Sequence, residues 1–338
     1  MMIIKNLYIE ITGYCNLNCF FCYNSNVRDK TELSLDNFKF IINNILKENT
    51  IEHIIFSGGE PLLNRNLKEM ILFIISKDIQ NITIITNGMV IDESIFNIIA
   101  KYGLKIQLSY NPSLHENSVV NRYKFFIKKV IDFQINHLVS LNTILTNDNY
   151  MNQISISSNF ANKYKLKNII FNKIMYNINM GNFDKFKHLI VTKENEEKIK
   201  KYLESDNLLY KNVSYESVDV RKKCVFGTQI ISEMDLQIDL LGNAYVCSRL
   251  QYSELKLFNI YKDYKKLNLL NLITNLSNKI VNEYKKCDKC VSKNFCNKFC
   301  PSMVVYDRKE SDVSFECIQH KKWFLKTVKG NSNEYFKN

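Results

Sequence analysis

Three cysteines fall within eight positions of the segment ITGYCNLNCFFCYNS, residues 11–25. They are Cys15, Cys19 and Cys22, spaced C-x3-C-x2-C, with the aromatic Phe21 directly before the last. Cysteine binds metal as the thiolate. Three thiolates on one loop can hold three irons of a 4Fe–4S cube, leaving the fourth iron without a ligand from this loop. An open coordination position marks a catalytic metal, not a structural one. The alternative, a structural zinc site, needs four closed ligands, and no fourth stands near.

Seven more cysteines lie in the second half of the chain: Cys224, Cys247, the block Cys287-x2-Cys290-x5-Cys296-x3-Cys300, and Cys317. A zinc ribbon would use two C-x2-C-like pairs, and seven ligands fit two zinc sites poorly. Disulfides are the other use of an even count. The N-terminus, MMIIKNLYIEITGYC, carries no long apolar run and no small-residue cleavage site, so no secretory signal is read. A reducing, cytoplasmic setting is expected, where disulfides are rare.

The chain has 338 residues, 46% of them apolar, enough for two domains and a real core. No run of 18 apolar residues occurs, and no membrane association is expected. The formal charge of +12 suits an acidic partner, but Lys and Arg form no dense block and no aromatic-basic stretch, so nucleic acid is not the expected partner. Glycine and proline are scarce, nine and three, against typical usage of about 7% and 5%. Several gather near cysteines and strand ends: Gly58, Gly59 and Pro61 in FSGGEPLLN, Gly88 after TN, Gly227, Gly242 and Pro301.

The elements that must position these residues alternate. Strand-like runs IIKNLYIEIT, IEHIIFS, NITIITN, LKIQLSY, HLVSLNTIL and LKNIIFNKIMY are separated by five amphipathic helix patterns. The first helix, SLDNFKFIINNILKE, has Ser34 as its N-cap. Six strands each followed by a helix, except the last, predict a parallel sheet, open or curled into a barrel. Chemistry in such folds sits at the C-terminal ends of strands. Cys15, Gly58, Gly59, Glu60, Asn87, Ser109 and Asn142 all fall at or near those ends. A charged helix or linker, TKENEEKIKKYLESDNLLYKN, follows, then short strands, with a hairpin closing between Gly242 and Cys247. A helical stretch is expected near residues 257–284. A boundary near residue 210 divides the chain into 1–210, 211–325 and a tail, 326–338.

C-x3-C-x-Φ-C with aromatic Φ resembles the signature of the radical S-adenosylmethionine (SAM) enzymes, and FSGGEP resembles that family's GGE motif at the end of the second strand. The resemblance implies a partial (β/α)6 TIM-like barrel. It implies that Cys15, Cys19 and Cys22 carry a 4Fe–4S cluster whose open iron binds SAM. Phe21 would lie against the adenine, and Gly58, Gly59 and Glu60 would bind the SAM ammonium. Ser109 and Asn142 would contact methionyl or ribose groups, and Arg122 the carboxylate. SYNP at residues 109–112 departs from the Ser-hydrophobic-Asp-Gly usual there. The C-terminal cysteine pattern is similar to the SPASM domain of peptide-modifying radical SAM enzymes, with a slightly long gap from Cys224 to Gly242. It implies one auxiliary 4Fe–4S cluster on Cys287, Cys290, Cys296 and Cys317. Cys224, Cys247 and Cys300 would hold a second, with one iron open or bound by a non-cysteine ligand.

The expected function is thus a maturase. It would cleave SAM reductively to a 5′-deoxyadenosyl radical and oxidatively modify a ribosomally made peptide, for example by a thioether or C–C crosslink. Its expected partners are a peptide or protein substrate, a reducing donor such as flavodoxin or ferredoxin, and a separate protein or the barrel itself for leader recognition. The alternatives are an anaerobic sulfatase-maturing, formylglycine-generating type and a non-catalytic Fe–S redox protein. Asp235, Asp239 and Tyr110 are the candidate acid–base groups. His115 and His320 read as ordinary polar side chains, and Trp323 as a packing residue.

Overall fold

In the computed structural model, the described residues are 2–22, 30–174, 185–205, 210, 212–216, 233–247, 255–263 and 268–283. Five strand–helix pairs open the chain. They are β1 (Met2–Thr12) and α1 (Leu35–Leu46), β3 (Ile54–Gly58) and α2 (Leu67–Ile75), and β4 (Ile82–Thr86) and α3 (Glu93–Tyr102). Then come β5 (Lys105–Ser109) and α4 (Asn117–Asp132), β6 (Val139–Leu145) and α5 (Tyr150–Tyr164). A short β2 (Asn49–Ile51) precedes β3. Next are β7 (Asn168–Lys173), α6 (Lys193–Glu204), β8 (Val213–Glu216), β9 (Glu233–Ile238), β10 (Asn243–Tyr245), β11 (Phe258–Asn259) and α7 (Leu269–Glu283).

All of these strands join one sheet, in the order β11-β10-β9-β1-β3-β4-β5-β6-β7-β8, with β2 alongside β1. From β1 to β8 the order follows the sequence without reversal, and every neighbouring pair is parallel. Right-handed crossovers then put every connecting helix on the same face. The strand pattern agrees. On β1, Leu7, Ile9 and Ile11 are fully buried toward the helices, and Asn6, Tyr8 and Glu10 take the other face. On β6, Val139, Leu141, Thr143 and Leu145 are buried, alternating with half-buried Ser140, Asn142 and Ile144. The helix-covered core is filled by Phe38, Ile41 and Ile42 of α1, Phe96 and Ile99 of α3, and Phe126 and Ile127 of α4. The opposite face is largely polar: Glu10 accepts from Gln237 at 2.8 Å, and Asn142 from Asn172 at 2.7 Å.

This is the expected parallel α/β sheet, wound in one direction and not closed into a barrel among the described residues, since β11 and β8 end the order. Ser34 caps α1 as its sequence predicts, its hydroxyl accepting from the Asn37 N–H at 3.2 Å. The stretch from 257 begins as strand, not helix. Phe258 and Asn259 pair antiparallel with Ala244 and Asn243, and the Asn259 amide donates to the Leu241 carbonyl and to Asn243. That pairing overrides the local helix pattern, which resumes only at Ile260–Asp263 and α7.

β9 runs parallel to β1 on the side away from β3, with Asn6 opposite Asp235 and Tyr8 opposite Gln237. β1, the strand that leads into the cysteine loop, is therefore internal to the sheet.

Candidate active site at the strand ends

The cysteine loop leaves β1 at Thr12 and lies across the C-terminal ends of β3, β4 and β5. Cys15, Cys19 and Cys22 are all of intermediate exposure, and the Cys22 N–H donates to the Cys19 carbonyl at 3.1 Å, which tightens the loop. The Gly59 N–H donates to the Thr12 carbonyl at 2.6 Å, and the Glu60 N–H to that of Tyr14 at 2.7 Å. The two chains come so close that a Cβ on Gly58 would sit 2.4 Å from the Thr12 oxygen and one on Gly59 2.0 Å from the Tyr14 oxygen. Gly58 also has φ +122°, which only glycine adopts freely. The paired glycines thus lock the end of β3 onto the loop.

Glu60 is fully buried. Its carboxylate accepts from the Thr86 hydroxyl at 2.7 Å and the N–H groups of Asn87 at 2.7 Å and Leu62 at 3.2 Å. Burial pushes its pKa up to about 7, and the three donors act against that. By holding the turn after β4, it sets Asn87. The Asn87 amide donates to Asn16 Oδ1 at 2.9 Å and lies 3.7 Å from Cys15 Sγ. From the end of β5, a 3-10 turn (Pro112–Leu114) delivers His115, whose Nε2 is 3.3 Å from Cys19 Sγ. Burial lowers the His115 pKa. Phe21 stacks on His115 with centroids 5.4 Å apart, and packs on its other contacts against Ile174 and Phe186.

Ser109 and Asn142 are register partners on β5 and β6, both half-buried on the polar face. Asn142 sits mid-strand because β6 runs three residues further than the pairing, but at the same level as the end of β5. Arg122, on α4, is exposed; it donates to the Met89 carbonyl at 3.2 Å, just past the Asn87 turn.

The three acid–base candidates are not gathered here. Tyr110 is 3% exposed and packs among Phe160 and Tyr123 on the helix side, where burial raises its pKa. Asp235 accepts from the Asn6 amide at 2.8 Å, near the start of β9. Asn6 lies six residues before Thr12 on β1, about 20 Å from the loop at the usual rise per residue. Asp239 caps the β9–β10 turn, accepting from the N–H groups of Leu241 and Asn243, the Asn243 amide and the Tyr245 hydroxyl. Sequence reasoning missed His115 as a neighbour of the loop. Its one signal is its place six residues beyond a strand end. Cys247 follows β10, as expected for the hairpin. Cys224, Cys287, Cys290, Cys296, Cys300, Cys317, His320 and Trp323 lie outside the described residues.

Among the described residues, no three His, Cys, Asp or Glu side chains are grouped as a single metal ion would require. A four-iron cube asks something else, one thiolate for each of several irons. Three half-exposed thiols on one loop, locked by Gly58 and Gly59 and faced by donors from Asn87 and His115, fit that demand.

Residues 9–133 match the family model of the Radical SAM superfamily. The chain carries a radical SAM domain. Its curated relatives include an uncharacterised protein of Methanocaldococcus jannaschii, 34% identical over 36% of this chain and 43% of that protein. Another is the GTP 3′,8-cyclase of Synechocystis, 28% identical over 51% of this chain and 47% of the cyclase. The match spans less than half the length of either relative. Among solved structures, Streptococcus suis SuiB bound to S-adenosylmethionine covers 92% of this chain and 75% of its own, at TM-score 0.64 and 17% identity. SuiB is also solved with its precursor peptide SuiA. anSMEcpe with bound AdoMet covers 97% of this chain and 98% of its own, at TM-score 0.67 and 15% identity. These two share the fold of this chain.

Proposed function

We propose that this protein is a radical SAM maturase that oxidatively modifies a peptide, with a SAM-binding core over residues 1–210, an auxiliary-cluster unit over 211–325 and a tail from 326. The observation that carries the peptide reading is the second cysteine set, Cys224, Cys247, Cys287, Cys290, Cys296, Cys300 and Cys317, added to a core that already has its own three. The fold likeness to SuiB, solved with a precursor peptide, extends over 92% of this chain and supports the reading.

When bound, SAM on a reduced cluster supplies a 5′-deoxyadenosyl radical able to take hydrogen from an unactivated C–H bond. Cys15, Cys19 and Cys22 would hold that cluster. Phe21, with Ile174 and Phe186 behind it, keeps water from one flank of the loop. Ser109 and Asn142 offer uncharged donors and acceptors to a methionyl or ribose group. Gly58, Gly59 and Glu60 would bind the SAM ammonium, Glu60 through the backbone that its carboxylate, engaged by Thr86, Asn87 and Leu62, fixes after β4. The auxiliary unit would accept the electron left on the substrate, and a flavodoxin- or ferredoxin-like donor would supply the reducing electron. A leader would be recognised by a separate protein or by the barrel itself.

The test is 5′-deoxyadenosine release from SAM and a strong reductant by the anaerobically reconstituted full chain. Wild type should form the product, and a Cys15→Ala/Cys19→Ala/Cys22→Ala variant should not. A protein that holds iron on this loop yet never cleaves SAM, with or without candidate peptides, would be a redox protein instead. The match to GTP 3′,8-cyclase favours a second reading, a nucleotide substrate. Consumption of GTP by the wild type alone, with peptides inert, would establish it. Formylglycine on a Cys- or Ser-containing peptide would point to the sulfatase-maturing type.

A further inference from the structure

The three cysteines are not the whole of what the sequence brings to the loop. The imidazole of His115 reaches Cys19 from the far side of the β5 turn, Nε2 to Sγ 3.3 Å, and one face of its ring is stacked on Phe21. Its other nitrogen, Nδ1, is 3.0 Å from the hydroxyl of Tyr123, a fully buried residue of α4. The Tyr123 oxygen also faces the Asn111 N–H at 3.5 Å. These contacts order the protons. As a cluster ligand Cys19 would be a thiolate that can only accept, and Nε2 would then carry the hydrogen. A neutral imidazole then has a bare Nδ1, which accepts from the Tyr123 O–H, while the Asn111 N–H points at the phenol oxygen. Every group in the chain Asn111–Tyr123–His115–Cys19 has a donor matched to an acceptor.

We propose that His115 is a positioning residue of the cysteine loop: it donates a hydrogen bond from Nε2 to the Cys19 thiolate and thereby sets how readily a cluster on that loop takes up an electron. The inference rests on the cluster proposed at Cys15, Cys19 and Cys22. Reduction adds negative charge that is shared with the sulfurs. A fixed N–H aimed at one of them stabilises the reduced state more than the oxidised, and hydrogen bonds to sulfur are one of the levers that set such potentials. Tyr123 acts through His115, by holding the tautomer. The Asn87 amide, 3.7 Å from Cys15 Sγ, is a longer and weaker contact of the same kind.

The experiment is a redox titration of the full, reconstituted chain, monitored by electron paramagnetic resonance. It follows the reduced-cluster signal that changes when SAM is added. His115→Phe keeps a ring against Phe21 and removes both nitrogens. It should bind iron as the wild type does, with the SAM-responsive signal developing only at more negative potential. His115→Gln, which can return an N–H, should recover part of the shift. Tyr123→Phe should shift less than His115→Phe and in the same direction. A His115→Phe protein with full iron and the wild-type potential overturns the inference. If that variant loses iron, Tyr123→Phe decides, since a wild-type potential there overturns it as well. A wild type with no SAM-responsive signal overturns the cluster reading itself, an outcome distinct from a signal that is present and unshifted.

Discussion

Glu60 shows how one side chain can serve a site without facing it. Its carboxylate is spent on Thr86, Asn87 and Leu62, and so on the geometry of the turn that aims Asn87 at the cysteine loop. Its buried state has a measurable signature. The folded pKa of about 7 lies above the unfolded value of 4.5, so the native state holds its proton more tightly. Stability owed to this group is therefore greatest below pH 4.5, falls as pH rises between 4.5 and about 7, and is level above. Urea unfolding of wild type and Glu60→Gln across that range checks it. The wild-type stability minus that of the variant should decline through the window, and a flat difference would show a carboxyl titrating at its ordinary value. The glycines, the cysteines and Glu60 were legible as a set because their residue types are demanding and their spacing is short. His115 was not, because its meaning depends on a turn that folds it back on a loop 96 residues earlier. Asp239 read as a candidate acid–base group in sequence because its partners, Leu241, Asn243 and Tyr245, gather only once the hairpin closes.

The helices do their work by closing crossovers, and α3 is marked at both ends. Asp92 caps α3, its Oδ1 accepting from the N–H groups of Ser94 at 2.9 Å and Ile95 at 3.3 Å, and Gly103 ends the helix in the left-handed conformation. Asp92→Ala should cost about 1 kcal/mol of stability, read from denaturant midpoints, while the iron bound by the reconstituted protein stays at the wild-type level. Lost iron would mean that α3 positions the site more directly than its place on the helix face suggests. Period-3.6 runs made α1 to α5 readable, and among these five a side chain caps the N-terminus only of α1 and α3. α4 begins at Asn117, with Glu116 in the N-cap position and no side-chain cap. β2, β8 and β11 were not readable. They are two to four residues long, and such strands are defined by a partner and not by their own sequence.

At the scale of the whole molecule, the sequence suggested two units in series, and the alternation of strands and helices carried that far. What it hid was the return of β9 to pair with β1, a contact between residues more than two hundred apart in the chain that no local pattern announces. That pairing makes the strand leading into the cysteines depend on residues beyond the expected boundary. A chain cut after residue 216 would keep every element from β1 to β8 and still leave the backbone donors and acceptors of β1 between Ile3 and Ile9 unpaired on one side. Such a row is a template for pairing with other chains. The fragment should emerge from size-exclusion chromatography as self-associated material where the full chain does not, and a monodisperse, iron-binding fragment would contradict this. The two units are therefore not modules that can be exchanged like beads on a thread: any partner grafted onto this core must bring its own strand to stand beside β1.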